Sequence, residues 1–316
     1  MPFEVIGVIH LSRLPKTTTV GAQLDKLIET AVYEARELCN LGYDGVIIEN
    51  YGDAPYEKRV TDPLTLASMA IIVREVVKSV ECKVGVNLLR NSGLEAYSIA
   101  LAAGARFIRV NALVETIVSD SGLIEPEAPR LRDVRLNHPG VEVYADILVK
   151  HATSLRVSLS MLESTSIASK GNAEEYMRDL IEEYVERGGA DALVVTGLKT
   201  GELPPLSLVK MVKKYSRVPV IVGSGVTIDN VEEVVKIADG VIVGSYIKKG
   251  GKAGNPLDPH RAKLLIDHVK KGVRSIKKRS GYSDELKAPT MKGGDRFEQE
   301  GQEGGEKRRK EEEVEE

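Results

Sequence analysis

The sequence predicts an α/β protein, a (β/α)8 TIM barrel followed by a disordered charged tail. Three observations carry that expectation. Eight short apolar runs alternate with helix-like segments between residues 4 and 279 of the 316. Each run is continuously apolar, as parallel strands covered on both faces are. The first run leads into "HLSRLPKTTT", not into the Gly-rich phosphate turn that often follows the first strand of an open doubly wound sheet.

The strand candidates, in order, are "EVIGVIH" (4–10), "DGVIIEN" (44–50), "KVGVNLL" (83–89), "RFIRVN" (106–111), "EVYADIL" (142–148), "DALVVTG" (191–197), "VPVIVGS" (218–224) and "DGVIVGS" (239–245). Helix patterns lie between them at 22–41, 63–80, 174–187 and 228–237, with a last one at 258–279. The junctions "NLGYDG", "AAGARF", "RGGADA" and "IADGVI" end each helix on a small residue, often a Gly suited to a left-handed cap. The connections 112–126 and 149–173 are longer and are expected to carry function. One barrel domain therefore spans 1–279. Residues 280–316 are Gly-rich, highly charged and nearly free of large aliphatics. They cannot bury enough surface to offset their ordering entropy, so a solvated, disordered tail is expected.

Composition excludes several classes. The net charge of −3 gives no reason to expect nucleic acid, and peripheral membrane contact is not expected. No stretch approaches a membrane span, and the start "MPFEVIGVIHL" lacks the basic region and cleavage site of a signal peptide. A cytoplasmic location is the default. Cys39 and Cys82 are expected as small apolar fillers in a reducing compartment. With no Trp and three Phe, the core must come from Val, Ile, Leu and Ala.

The polar residues collect where strands end. Side chains alternate along a strand, so Phe107, Arg109 and Asn111 share one face. In a barrel that face is the interior, and its C-terminal end is the active-site mouth. There the sequence offers His10, Glu49, Asn50, Asn87, Arg90, Asn91, Asp146, Lys150, His151, Thr196 and Thr200, with Asp53 in the loop after strand two. A buried Arg109 needs a carboxylate or an anion, and Glu49 and Asp146 are the nearest candidates. Gly223, Ser224 and Gly225 follow the seventh strand, and Gly244 and Ser245 the eighth. Those two loops are the usual phosphate site of this fold. No short ligand spacing demands a metal, and no cofactor is expected. A homo-oligomer is left open.

The chain resembles the BtpA family, also called BtpA/SgcQ. The resemblance is carried by "GVIHL" with "LP", "ENYGDAPY", "VGVNLLRNS", "FIRVN", "ADILVKHA", "ADALVVTGLKTG", "VGSGVT" with Asn230, "ADGVIVGSYIKKGG" and "NPLDPHR". It implies a TIM barrel of the ribulose-phosphate-binding kind. In cyanobacteria the family name is attached to biogenesis or stability of photosystem I. Members are also labelled as resembling phosphoribosylanthranilate isomerase, a fold-level analogy that does not establish function. Two residues depart from the family pattern: Ser92 stands where Asp usually follows Leu-Arg-Asn, and Lys16 where Gly often follows Leu-Pro.

Two functions fit. The first is an enzyme of isomerase or lyase type on a small phosphorylated metabolite, such as a sugar or nucleoside phosphate. Asp146 would be its general acid or base and Glu49 second. Lys150 or Arg109 would stabilise negative charge, and the asparagines would orient hydroxyls. The second is a non-catalytic assembly or stability factor for a larger complex. Convergence of the rim residues on one point separates the two, since an assembly factor has no need of it.

Overall fold

The computed structural model describes residues 2–18, 23–148, 152–155, 172–197 and 201–279. The tail expected from 280 lies outside the described residues. The first half runs β1 (Glu4–His10), α1 (Leu24–Leu41), β2 (Gly45–Glu49), α2 (Pro63–Ser79), β3 (Lys83–Asn87), α3 (Gly93–Ala103) and β4 (Phe107–Val110). Next come β5 (Ile117–Ser119), β6 (Gly122–Ile124), α4 (Ala128–Asn137), β7 (Glu142–Ile147) and β8 (Ala152–Ser154). The chain ends in α5 (Asn172–Glu182), β9 (Ala192–Val195), α6 (Leu206–Tyr215), β10 (Val220–Val222), α7 (Val231–Val234), β11 (Gly240–Val243) and α8 (Pro259–Arg279).

Eight parallel strands close into a barrel in the order β1-β11-β10-β9-β7-β4-β3-β2. They fall within the eight predicted runs, trimmed at the ends. The connection 112–126, expected as a loop, instead holds the β5–β6 hairpin. With β8 it forms a small antiparallel sheet in the order β6-β5-β8. Strands of three residues are too short to show a period. The helix expected over 228–237 shrinks to the single turn of α7, because Asn230 is spent on the preceding turn. Its Oδ1 accepts from Thr227 N at 2.9 Å and its Nδ2 donates to Gly225 O at 2.9 Å.

The interior of the barrel is a dry layer that includes Ile6, Ile47, Phe107, Tyr144, Val194 and Ile242. A single large ring fills much of it. Gly85 makes this possible: a Cβ there would come within 2.3 Å of the Phe107 ring. Phe107 in turn stacks on Tyr144 at 4.7 Å. A second and larger apolar layer lies between the strands and the helices. Polar groups close the N-terminal end, where Lys83 donates to Glu142 at 2.9 Å, to Glu4 at 3.2 Å and to the Tyr144 hydroxyl at 3.2 Å.

The αβ junctions hold the register. Gly42 ends α1 at φ 93°, the left-handed cap that its junction predicts. The aspartate that opens a strand then accepts a backbone N–H from a neighbouring strand. Asp44 takes Val5 N at 2.8 Å, Asp191 takes Val143 N at 2.7 Å, and Asp239 takes Val220 N at 2.8 Å. The reading of Cys39 and Cys82 as separate fillers is corrected: they form a disulfide, with Cα atoms 5.9 Å apart. Their separation of 43 residues hides the contact; pairing of β2 with β3 brings the end of α1 beside the start of β3. Among the described residues, no helix is long and apolar enough to cross a membrane.

A buried ion pair ties the loop after β11 to α1. Lys248 donates to Glu34 at 2.5 Å, and the second Glu34 oxygen accepts Leu257 N at 2.8 Å. Burial pulls the lysine pKa down, and Glu34 offsets part of that. Replacing Glu34 with Gln strands a buried ammonium and is expected to cost about 3–5 kcal/mol in a denaturant melt. Adding Lys248→Met should recover most of the loss. In Glu34→Gln the unfolded chain holds the lysine proton more tightly than the folded one. Stability of that variant should therefore rise as pH climbs toward 10.5, the ordinary lysine value.

Candidate active site

Phe107 lies deep in the barrel, and Arg109 and Asn111 climb from it toward the C-terminal mouth. Arg109 meets Asp146 from β7 edge-on, with Nε to Oδ1 at 2.9 Å and Nη2 to Oδ2 at 3.0 Å. Asn111 Nδ2 adds a third donor to Oδ2 at 2.7 Å. The pair is desolvated, with side chains 4% and 0% exposed. Burial opposes the charge on Arg109, but the Asp146 carboxylate outweighs it and raises the guanidinium pKa. With three donors in place, Asp146 lies beneath the cavity above and does not line it.

The cavity has a volume of about 470 Å³, within the usual range of small-molecule sites. His10, Glu49, Asn87, Arg109 and Asn111 line it from β1 to β4, and Gly223–Thr227 and Gly244–Tyr246 line it from the loops after β10 and β11. Strand register sets His10 beside Glu49 and Glu49 beside Asn87. Asn111 commits its Nδ2 to Asp146, so its amide orientation is fixed and Oδ1 faces away. That oxygen is buried without a partner, as is Asn87 Oδ1. Unpaired buried acceptors cost about 1–3 kcal/mol each. They are the groups a ligand's hydroxyls or amines would satisfy.

The opposite rim is built from glycine. Gly225 has φ 71°, and a Cβ on it would lie 2.0 Å from Leu203 N. A Cβ on Gly223 would press on Val194 at 2.4 Å, and one on Gly244 would approach the His10 ring to 3.0 Å. Ser245 lines the mouth. Ser224 also lines it, but its hydroxyl is engaged, accepting Gly197 N at 2.9 Å and donating to Glu202 O at 2.7 Å.

Several expected ligand-binding residues turn out to hold loops and do not line the cavity. Asn50 Oδ1 accepts Leu89 N at 2.7 Å, while its Nδ2 donates to Asp53 at 3.1 Å. Asp53 also accepts Leu14 N at 2.9 Å. Asn91 brackets Ala112, accepting its N–H at 3.0 Å and donating to its carbonyl at 3.1 Å. Thr196 is buried outside the lining. Arg90 does line the cavity. Ser92 accepts Val60 N at 2.9 Å and Lys16 pairs with Glu57 at 3.2 Å, so both departures from the family pattern act in loops. Lys150, His151 and Thr200 lie outside the described residues.

Sequence reasoning missed Tyr51, Tyr56, Tyr246 and Arg261, which all line the cavity. Tyr51 packs on His10 at 4.6 Å. Arg261, in the first turn of α8, lies over the Tyr246 ring at 4.3 Å and donates Nε to Tyr246 O at 2.6 Å. Glu115 was missed as well. It is buried near Asp146 and accepts from Ser154 and, at 3.0 Å, from Tyr184. Burial first, then the Glu115 and Asp146 carboxylates, hold the Tyr184 phenol well above its ordinary pKa. Among the described residues, no three His, Cys, Asp or Glu side chains gather as metal ligands.

Fold and rim together define a (β/α)8 barrel with a polar-lined cavity at the C-terminal ends of its strands. The chain belongs to the BtpA family, whose pattern matches residues 2–271. An uncharacterised protein of Methanocaldococcus jannaschii is 38% identical over 84% of this chain and 95% of its own length. The photosystem I biogenesis protein BtpA of Synechocystis is 35% identical over 89% of this chain and 92% of its own. Among solved structures, thiamine phosphate pyrophosphorylase of Pyrococcus furiosus superposes with a TM-score of 0.51 at 14% identity, covering 86% of this chain and 97% of that one. The (S)-3-O-geranylgeranylglyceryl phosphate synthase of Thermoplasma acidophilum gives 0.51 at 13% identity, covering 85% and 94%. At these identities the likeness is one of fold.

Arg109→Leu leaves Asp146 buried with only Asn111 as partner. The expected loss is about 3–5 kcal/mol in a denaturant melt. Glu49 takes no side-chain hydrogen bond from a described residue, and Glu49→Gln should change stability by less than about 1 kcal/mol. A loss below about 1 kcal/mol for Arg109→Leu would show that the pair is solvated.

Proposed function

We propose that the protein is an enzyme that carries out acid–base chemistry, of isomerase or lyase type, on a small phosphorylated metabolite. One observation carries the reading. A single cavity is lined by Glu49, by Asn87 and Asn111 with their amide oxygens unpaired, by a glycine rim and by Arg261, and among the described residues Glu49 takes no side-chain hydrogen bond and Arg261 no carboxylate partner. Glu49 is the group that moves the proton. It reaches the cavity directly, whereas Asp146 is occupied by Arg109 and Asn111. Asp146 is thus a positioning residue: it holds Arg109 flat on the floor, where the guanidinium stabilises negative charge developing on the substrate. Asn87 and Asn111 accept from its hydroxyls.

The phosphate rests on the backbone of Gly223–Gly225 and Gly244–Ser245, the loops this fold commonly uses for it. Arg261 neutralises it from the side. A phosphate held at the rim lets binding energy place the reacting carbon over Glu49. The Thermoplasma acidophilum barrel, solved with sn-glycerol-1-phosphate, gives a parallel on the same fold. The name of the Synechocystis relative points to an assembly role. Convergence of the polar rim on one cavity favours the enzyme, because docking alone calls for no such arrangement.

A thermal-shift screen with phosphorylated sugars and nucleosides should yield ligands that raise the melting temperature. Aspartate at Gly225 is a poor test, since any side chain there meets the backbone of Leu203. Ser245→Asp is the suitable variant, and should abolish the shift while the apo melting temperature holds. With a hit in D2O, a carbon-bound proton of the ligand should exchange. Glu49→Gln should slow that exchange by about two orders of magnitude or more, while the ligand still binds. Undiminished exchange in Glu49→Gln would remove Glu49 from the mechanism.

A further inference from the structure

We infer that the cavity takes a ligand with two anionic ends, one on the β10 and β11 turns and the other on Arg90 at the opposite wall. The inference rests on the proposed phosphate site and adds a second subsite to it. The closed strand order places β3 four positions from β10, directly across the barrel. Arg90 follows β3, so it faces the glycine rim from the far side of Glu49.

The two walls share one construction. Arg261 lies over Tyr246 at 4.3 Å on the rim side, and Arg90 lies over Tyr56 at 4.8 Å on the other. Stacking on an aromatic ring fixes the plane of a guanidinium and leaves its edges for ligands. Tyr56 brings no competing charge. Burial, and then Glu49, push its phenol pKa up, and its hydroxyl donates to Tyr51 O at 2.8 Å.

The partners of the three cavity arginines differ. Arg109 has its two-nitrogen edge filled by Asp146. Arg261 forms no ion pair with a described residue. Among the described residues Arg90 pairs only with Asp120, at the tip of the β5–β6 hairpin; the arginine side chain is 12% exposed and the aspartate 61%. Both Asp120 oxygens crowd onto one nitrogen, Nη2, at 2.7 and 3.0 Å, and Arg90 Nε is buried without a partner. The pair is open to solvent on the Asp120 side, which screens it and keeps its contribution small. An anion gripping two nitrogens is bound more strongly, so a carboxylate or phosphate on the ligand can take the place of Asp120. Glu49 and Asp120 are the only carboxylates among the described lining residues. Once Asp120 is displaced, the mouth holds two unmatched guanidinium groups with Glu49 between them.

Isothermal titration at constant ionic strength tests this with ribose 5-phosphate, ribulose 1,5-bisphosphate and 5-phosphoribonate. The last two distinguish a second phosphate from a carboxylate. At least one probe with two anionic groups should bind about tenfold or more tighter than ribose 5-phosphate, which has one. Arg90→Gln should remove that advantage and leave ribose 5-phosphate unchanged. Arg261→Gln should weaken all three, and Asp120→Asn should tighten only the probe with two anionic groups. Equal affinity of all three probes for the native protein overturns the second subsite, as does an equal loss for all three in Arg90→Gln. If Arg90→Gln does not fold, Asp120→Asn decides, and a loss of affinity there for the probe with two anionic groups overturns the inference. If neither inorganic phosphate nor ribose 5-phosphate binds at all, the phosphate site itself fails and the second subsite with it.

Discussion

A guanidinium and a carboxylate buried edge to edge, on two neighbouring strands, set the geometry of the mouth. Neither Arg109 nor Asp146 is tolerable alone at that depth. Together they form a flat floor joined by two parallel bonds, and the third donor, from Asn111, fixes the direction of that amide. One pair thereby decides which polar atoms remain for a ligand: the carbonyl oxygens of Asn111 and Asn87, and the carboxylate of Glu49. The barrel beneath is arranged to support it. Gly85 admits the Phe107 ring, which stacks on Tyr144 in the apolar layer of the interior.

The turns after β10 and β11 are made of parts with little side chain. Glycine at 223, 225 and 244 lets one wall of the cavity be backbone, and backbone N–H groups can approach an anion as no side-chain wall allows. The loops on the other side are held by side chains. Asn50, Asp53, Asn91 and Ser92 each bond to backbone atoms of a neighbouring loop. The cavity is therefore preorganised: the groups that would meet a ligand sit on strand ends or on loops that are tied down.

The barrel was legible because its strands are buried on both faces and read as unbroken apolar runs. The strand-end rule likewise found His10, Glu49, Asn87, Arg109 and Asn111. It could not separate residues that face the cavity from those that staple loops, since both are polar and both sit at strand ends; Asn50 and Asn91 fell on the wrong side. Nor could it show that Asp146 is already occupied, which depends on the pairing of β4 with β7. Arg261 and the three tyrosines come from loops and a first helical turn, where no period marks a residue as inward. The Cys39–Cys82 pair and the β5–β6 hairpin depend on long-range contact and on strands of three residues.

Diffraction from crystals soaked in ribose 5-phosphate, grown without sulfate or phosphate, tests the central claim most directly. The account predicts a phosphate within hydrogen-bond distance of the backbone at Gly225 and Ser245 and of the Arg261 guanidinium, with ligand hydroxyls on Asn87 and Asn111. A phosphate bound outside this mouth, or a ligand whose sugar avoids both amides, would contradict it.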